Sequence, residues 1–290
     1  TSPAGDELTV SFAKALIEGE KLGQDDVPDY LAVSLSSTDY VGHLFGPSSL
    51  ESEDQILRLD RQITDLLSFV DERIGIDKTL IVLSADHGAA DPPGYLERYG
   101  IPATYINPKE WNTTPGLSRL KERFGIGKEL IKSYFHPYIY LDEEAIAKTG
   151  ASQAEIEREV ANEVMKLPGV ALAVSSTALA TGAYADMPLM RSILKNFSPS
   201  RSGDVFVVFA PHSFINDFDG LTVAAHHGSP WNYDTYVPMI FAGNGLDRRR
   251  VARRVETVDL APTLSALLGT KPPSGSVGKP LTEVMDTMDD

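Results

Sequence analysis

The chain has 290 residues, 42% of them hydrophobic and 23% charged, the balance of a globular protein able to bury one large core or two smaller ones. Forty-one Asp and Glu against 26 Lys and Arg leave a net charge of −15, which argues against a general basic surface for nucleic-acid backbones. Cysteine is absent, so disulfides and thiolate metal sites are excluded and any metal must be held by histidine and carboxylate; no run approaches the roughly 20 apolar residues that span a bilayer.

The start, Thr1 to Asp6, does not read as a signal peptide. A helix is expected over Leu8 to Leu22, then a strand over Tyr30 to Leu35, a short continuous apolar run. Apolar residues at 56, 59, 63, 66, 67 and 70 predict a long helix over Leu50 to Val70, with Ser48 and Glu51 as its capping box. Thr79 to Leu83 is a second apolar run. Strand, long helix, strand predicts a βαβ unit with parallel strands. Residues 91–200 are richer in Pro, Gly and polar residues and read as an insertion or cap within the single domain, 1–290. Further strands are expected at Tyr138 to Leu141, Val205 to Phe209 and Val237 to Phe241. Further helices are expected at Gln153 to Lys166 and at Leu260 to Leu268, the latter closed by Gly269. Arg248, Arg249, Arg250, Arg253 and Arg254 read as a solvated loop and strand start.

Chemistry concentrates in three segments: Ser37-Thr38-Asp39-Tyr40-Val41-Gly42-His43, Ser84-Ala85-Asp86-His87-Gly88 and His226-His227-Gly228-Ser229-Pro230. The first two follow the first two predicted strands, where ligands of an open α/β sheet bind. Four of the six histidines fall in these segments. Taken singly, each motif has an ordinary reading: an Asp-x-x-x-His repeat arises by chance, Asp-His-Gly makes a turn, and a lone histidine is commonly a surface or core residue. Their joint occurrence at strand ends points to metal.

Zinc accepts imidazole nitrogen and carboxylate oxygen and keeps an open position for substrate in catalytic sites. Asp39 and His43, four apart, can face one ion, which a distant histidine would complete. Asp86 and His87 are adjacent, but beyond a strand end and before Gly88 the backbone can turn both toward the crevice and a second ion. Two such ions clamp the attacking and leaving oxygens of a displacement at phosphorus. His227 is the better third ligand; His226 is expected to orient a ligand or bind nothing. His136 and His212 are expected to be structural or on the surface. Thr38 and Ser84 are read as local hydrogen bonding at strand ends.

Together with the block Thr257-Val-Asp259-Leu-Ala-Pro262, the three segments resemble the alkaline phosphatase superfamily, in the branch of the phosphate-irrepressible, monomer-type alkaline phosphatases and the nucleotide pyrophosphatase/phosphodiesterases. The resemblance runs from Gly5 to Gly278. It implies an alkaline phosphatase-like α/β fold, a mostly parallel central sheet flanked by helices with an inserted cap. It matches Asp39, His43 and His227 to the ligands of a first zinc, and Asp86 and His87 to ligands of a second. It implies a Thr or Ser alkoxide that attacks phosphorus, giving a phosphoenzyme released by zinc-bound hydroxide. Manganese would also suit this ligand set.

One departure is expected to matter. The family's nucleophile, a further Asp ligand and the phosphate contacts belong to its N-terminal half, and no segment here matches that half. The chain is thus expected to be a C-terminal part whose nucleophile lies upstream of Thr1 and whose partner is the missing half. The expected activity is zinc-dependent phosphomonoester hydrolysis of small phosphate esters. The alternatives are phosphodiester or pyrophosphate hydrolysis and a catalytically inactive metal-binding fragment. The resemblance also implies a periplasmic or secreted location, with no membrane or nucleic-acid partner.

Overall fold

The computed structural model describes residues 2–218 and 220–285. Helices α1 (Ala4–Gly19), α2 (Ser37–Phe45) and α3 (Leu50–Arg73) come first, then strand β1 (Leu80–Ser84). The middle holds α4 (Pro93–Leu96), β2 (Thr104–Tyr105), α5 (Pro115–Phe124), β3 (Ile131–Phe135), β4 (Tyr138–Leu141), α6 (Glu143–Ala147) and α7 (Gln153–Val164). Next come β5 (Val170–Ser175), α8 (Ser176–Thr181), α9 (Pro188–Asn196), β6 (Val205–Phe209) and β7 (Ser213–Phe214). Then follow β8 (Asp217–Phe218), β9 (Leu221–Thr222), α10 (Asn232–Thr235), β10 (Met239–Gly243), α11 (Leu260–Leu267) and α12 (Thr282–Met285). Two compact units divide the chain: residues 1–41, 48–88 and 236–290 form one, and residues 42–47 and 89–235 the other.

In the first unit α1 packs on α3, burying Val10, Ala13 and Ile17 of α1 and Val70 of α3. The long helix forms as expected, but its cap is Ser49, whose hydroxyl accepts from Ser52 N at 3.1 Å, and not Ser48 with Glu51. Strand β1 pairs with β10 antiparallel, from Leu80 opposite Gly243 to Ser84 opposite Met239. The expected strand at 237–241 starts two residues late because Pro238 has no N–H to give a ladder. It ends at Gly243, where φ is 81° and any Cβ would collide with Thr79 O.

The expected strand at 30–35 is a correction. Those residues form no ladder, so the parallel pair predicted from the βαβ reading is not made within the described residues. An apolar run permits a strand, but only a neighbouring strand makes one, and β1 takes β10 instead. Residues 246–254, with the arginine cluster, likewise form no strand; Arg253 and Glu283 make a two-pronged ion pair, its Nη2–Oε2 arm 2.7 Å long.

The second unit is built on a four-stranded antiparallel sheet in the order β3-β4-β6-β5. Strand β6, Val-Phe-Val-Val-Phe, is buried throughout, and its alternation sorts the core into two layers. Val205, Val207 and Phe209 pack with Leu117 of α5 and Ile156, Val160 and Val164 of α7. Phe206 and Val208 point the other way, onto Leu179 of α8 and Met190 and Ile193 of α9. The observed β4 and β6 have the bounds expected from sequence. Among the described ladders only β2–β7 is parallel. Residues 91–200, read as an insertion, lie inside this unit, which extends to Thr235. No helix among the described residues is long and apolar enough to cross a membrane.

Candidate metal centre

Helix α2 carries Asp39 in its first turn and His43 in its last. Four residues apart, they share one face of the helix, and each sits at the helix end whose partial charge suits it. The division between the units falls within this helix, after Val41.

In the second unit the loop after β9 is tied to the end of α2: Ala224 N and Ala225 N both donate to His43 O, at 2.8 and 3.2 Å. His43 Nδ1 lies 2.9 Å from Ala225 O. A carbonyl can only accept, so Nδ1 bears the proton and neutral His43 presents a bare lone pair at Nε2. That nitrogen stands 3.1 Å from His227 Nε2. Two imidazole nitrogens on one tetrahedral zinc stand about 3.3 Å apart, so the spacing and the carbonyl-fixed tautomer both fit a shared cation. Gly228, at φ 99°, turns the chain directly after His227.

His226 meets the His43 ring edge-on, with centroids 5.2 Å apart and planes at 83°. Its Nδ1 is engaged 2.8 Å from the backbone of His227. Its ring therefore packs on His43 while its Nδ1 is held by the turn at His227. His136, expected from sequence to be structural or on the surface, packs as a structural residue beside the loop that carries His227. Its ring stacks on Phe209, its Nδ1 is 2.9 Å from Tyr134 Oη, and its Nε2 is 3.3 Å from Gly228 O. Burial pushes its pKa down to about 4, with nearby His226 adding to the effect, so it is neutral at physiological pH and bonds through one N–H and one lone pair. His212 stacks on Tyr233, 4.6 Å between centroids.

In the first unit His87 repeats the pattern. Its Nδ1 is 2.9 Å from Gly88 O, which leaves Nε2 facing two carboxylates, Asp86 Oδ2 at 3.5 Å and Asp39 Oδ1 at 3.9 Å. An imidazole nitrogen and two carboxylate oxygens converge there, a donor set that suits a metal. Asp86, with its side chain 88% exposed, is the least enclosed of the group. The structure thus brings Asp39 up to His87 and Asp86 within one unit, and His43 up to His227 and His226 in the other. Sequence reasoning grouped Asp39 with His43 and His227 and missed that it also faces His87. It missed the backbone carbonyls of Ala225 and Gly88 too, which no residue type signals. Ser84 Oγ donates to Pro238 O at 3.0 Å, a bond across to the strand-β10 segment and not the local one read from sequence.

With this geometry in place, comparison with known proteins defines the class. The chain belongs to the type I phosphodiesterase / nucleotide pyrophosphatase family, which it matches over residues 5–230, within the alkaline phosphatase superfamily. It is 34% identical to alkaline phosphatase PafA of Elizabethkingia meningoseptica over 98% of its own length and 51% of that protein's. It is 35% identical to alkaline phosphatase PhoV of Synechococcus elongatus, over 98% of the chain and 50% of the relative. The crystal structure of wild-type PafA superposes with a TM-score of 0.85 at 33% identity, covering 98% of this chain and 53% of that one. The α/β, alkaline phosphatase-like fold class read from the sequence is therefore borne out, but the mostly parallel sheet expected with it is not seen among the described ladders, where only β2–β7 is parallel. The chain spans about half the length of the curated relatives it matches.

Proposed function

We propose that this chain forms part of a metal-dependent phosphomonoester hydrolase of alkaline phosphatase type. Asp39, His43 and His227 hold one zinc ion, and Asp86 and His87 contribute to a second. The observation that carries the reading is the pair of Nε2 atoms of His43 and His227, 3.1 Å apart, with the His43 proton committed to Ala225 O. When bound, the ions supply Lewis-acid stabilisation to the phosphoryl oxygens of a small phosphate ester. The chain's own part is to present neutral imidazoles of fixed tautomer and to hold them in place through Ala225, Gly88 and His226. The Thr or Ser nucleophile belongs to the half of the relatives that this chain does not match, which is its proposed partner. Manganese suits the same donors, and export to the periplasm or medium is part of the same reading.

Two measurements test this. Zinc bound per chain is expected to fall on His43→Ala, and no zinc binding at all would remove the metal assignment. The chain alone is expected not to turn over p-nitrophenyl phosphate, and robust hydrolysis at alkaline pH would show that the nucleophile lies within it. The family match favours phosphodiester or pyrophosphate hydrolysis as the second reading. Metal ligands do not choose between these substrates, so rates on p-nitrophenyl phosphate and bis(p-nitrophenyl) phosphate in the full-length protein decide.

A further inference from the structure

The first unit contains a buried polar group that the proposed chemistry does not use. Asp6, on α1, is 1% exposed, and so is Gln55, on α3. Asp6 Oδ1 accepts a hydrogen bond from Ser37 N, in the first turn of α2, at 3.1 Å. Its Oδ2 accepts from Gln55 Nε2 at 2.9 Å, and the same Gln55 nitrogen lies 3.4 Å from Thr38 Oγ1, beside Asp39. Gly5 allows the close approach, since a Cβ there would meet Ser37 Oγ at 2.8 Å.

From this network we infer that Asp6, seconded by Gln55, is the positioning residue for the ligand-bearing helix α2. The inference rests on the metal reading of Asp39 and His43. Helix α2 has nine residues and buries only Ser37 and Val41, so neither length nor apolar packing holds it firmly. A carboxylate at the N-terminus of a helix satisfies a free N–H and complements the helix dipole. Here the carboxylate comes from 31 residues upstream, so it fixes α2 against α1 while Gln55 fixes α1 against α3. Burying a carboxylate is costly, and an apolar residue would join α1 to α3 more cheaply. Only the polar group supplies directional bonds that set where along its axis α2 begins, and hence where Asp39 and His43 stand. Ligand sets tolerate displacements of only about 0.5 Å.

The test is Co²⁺ titration of the whole chain, followed by its d–d absorption, for wild type, Asp6→Ala, Asp6→Asn, Asp39→Ala and Val70→Ala. Val70 is buried on α3 about four turns beyond Gln55, so its truncation lowers stability without touching the network. Asp6→Ala is expected to weaken Co²⁺ binding by about 10-fold or more, the usual effect of losing a group that orients a ligand. Asp6→Asn is expected to lose less, because its Oδ1 still accepts from Ser37 N and a turned Gln55 can offer Oε1 to Nδ2. It keeps the test decisive if Asp6→Ala does not fold. Val70→Ala is expected to bind like wild type; equal losses in Val70→Ala and the Asp6 variants would mark a general stability effect and overturn the role. Tight binding by both Asp6 variants beside weak binding by Asp39→Ala would overturn the positioning role alone. Wild type that binds no Co²⁺, or Asp39→Ala that binds it as tightly, would overturn the metal reading and this role with it.

Discussion

The two ring nitrogens of His43 serve different ends, since one bonds to the carbonyl of Ala225 and the other confronts His227. Replacing His43 by Ala removes a donor and strands that carbonyl, so high-affinity binding of one metal equivalent is expected to disappear, as read by equilibrium dialysis with zinc. His136 gives a pH prediction. Its folded pKa, about 4, lies below the 6.5 of a free imidazole, so as pH falls the unfolded chain takes up that proton first. The stability this group confers is full above about pH 6.5 and is lost as pH falls from there to about 4. Urea midpoints at pH 7 and pH 4.5 should therefore separate more for wild type than for His136→Gln, which cannot titrate. Sequence reasoning could name the histidines but not the partner of each second ring nitrogen, because that partner comes from a distant part of the chain. His136 reaches the candidate site from the β3–β4 hairpin, 92 residues before Gly228.

At the scale of elements, the helices and buried strands were the most legible parts. Strand β6 is covered on both faces, so its five apolar residues could be little else. In α7 the residues at 156, 160 and 164 recur at helical spacing and all three are fully buried. Ile156→Ala is expected to cost about 2–5 kcal/mol, seen as a lower denaturation midpoint for the second unit. The true cap of α3 gives a smaller effect: Ser49→Ala is expected to cost about 1 kcal/mol, read by the same denaturation measurement. Sequence chose Ser48 because both serines precede the helix, and only the backbone turn decides whose hydroxyl reaches an N–H.

At the scale of the molecule, metal binding and folding are expected to be linked. A ligand that binds only the folded state at 100 times its Kd stabilises it by about 2.7 kcal/mol. Zinc should therefore raise the melting temperature of the chain, EDTA should reverse the shift, and His43→Ala should diminish it. Calorimetry with and without chelator checks this.

The amino-acid sequence by itself determined the chemistry available: histidine and carboxylate donors without a thiol, their order along the chain, and the period of each buried segment. These are local properties, fixed by residue type and spacing. Tertiary structure alone decided that residues 30–35 find no strand partner among the described residues, that β1 joins β10 antiparallel, that Asp39 faces His87 as well as sharing a helix with His43, and that Ala225 sets the proton of His43. Each of these depends on groups far apart in the chain, and their meeting is set by packing that no local pattern encodes.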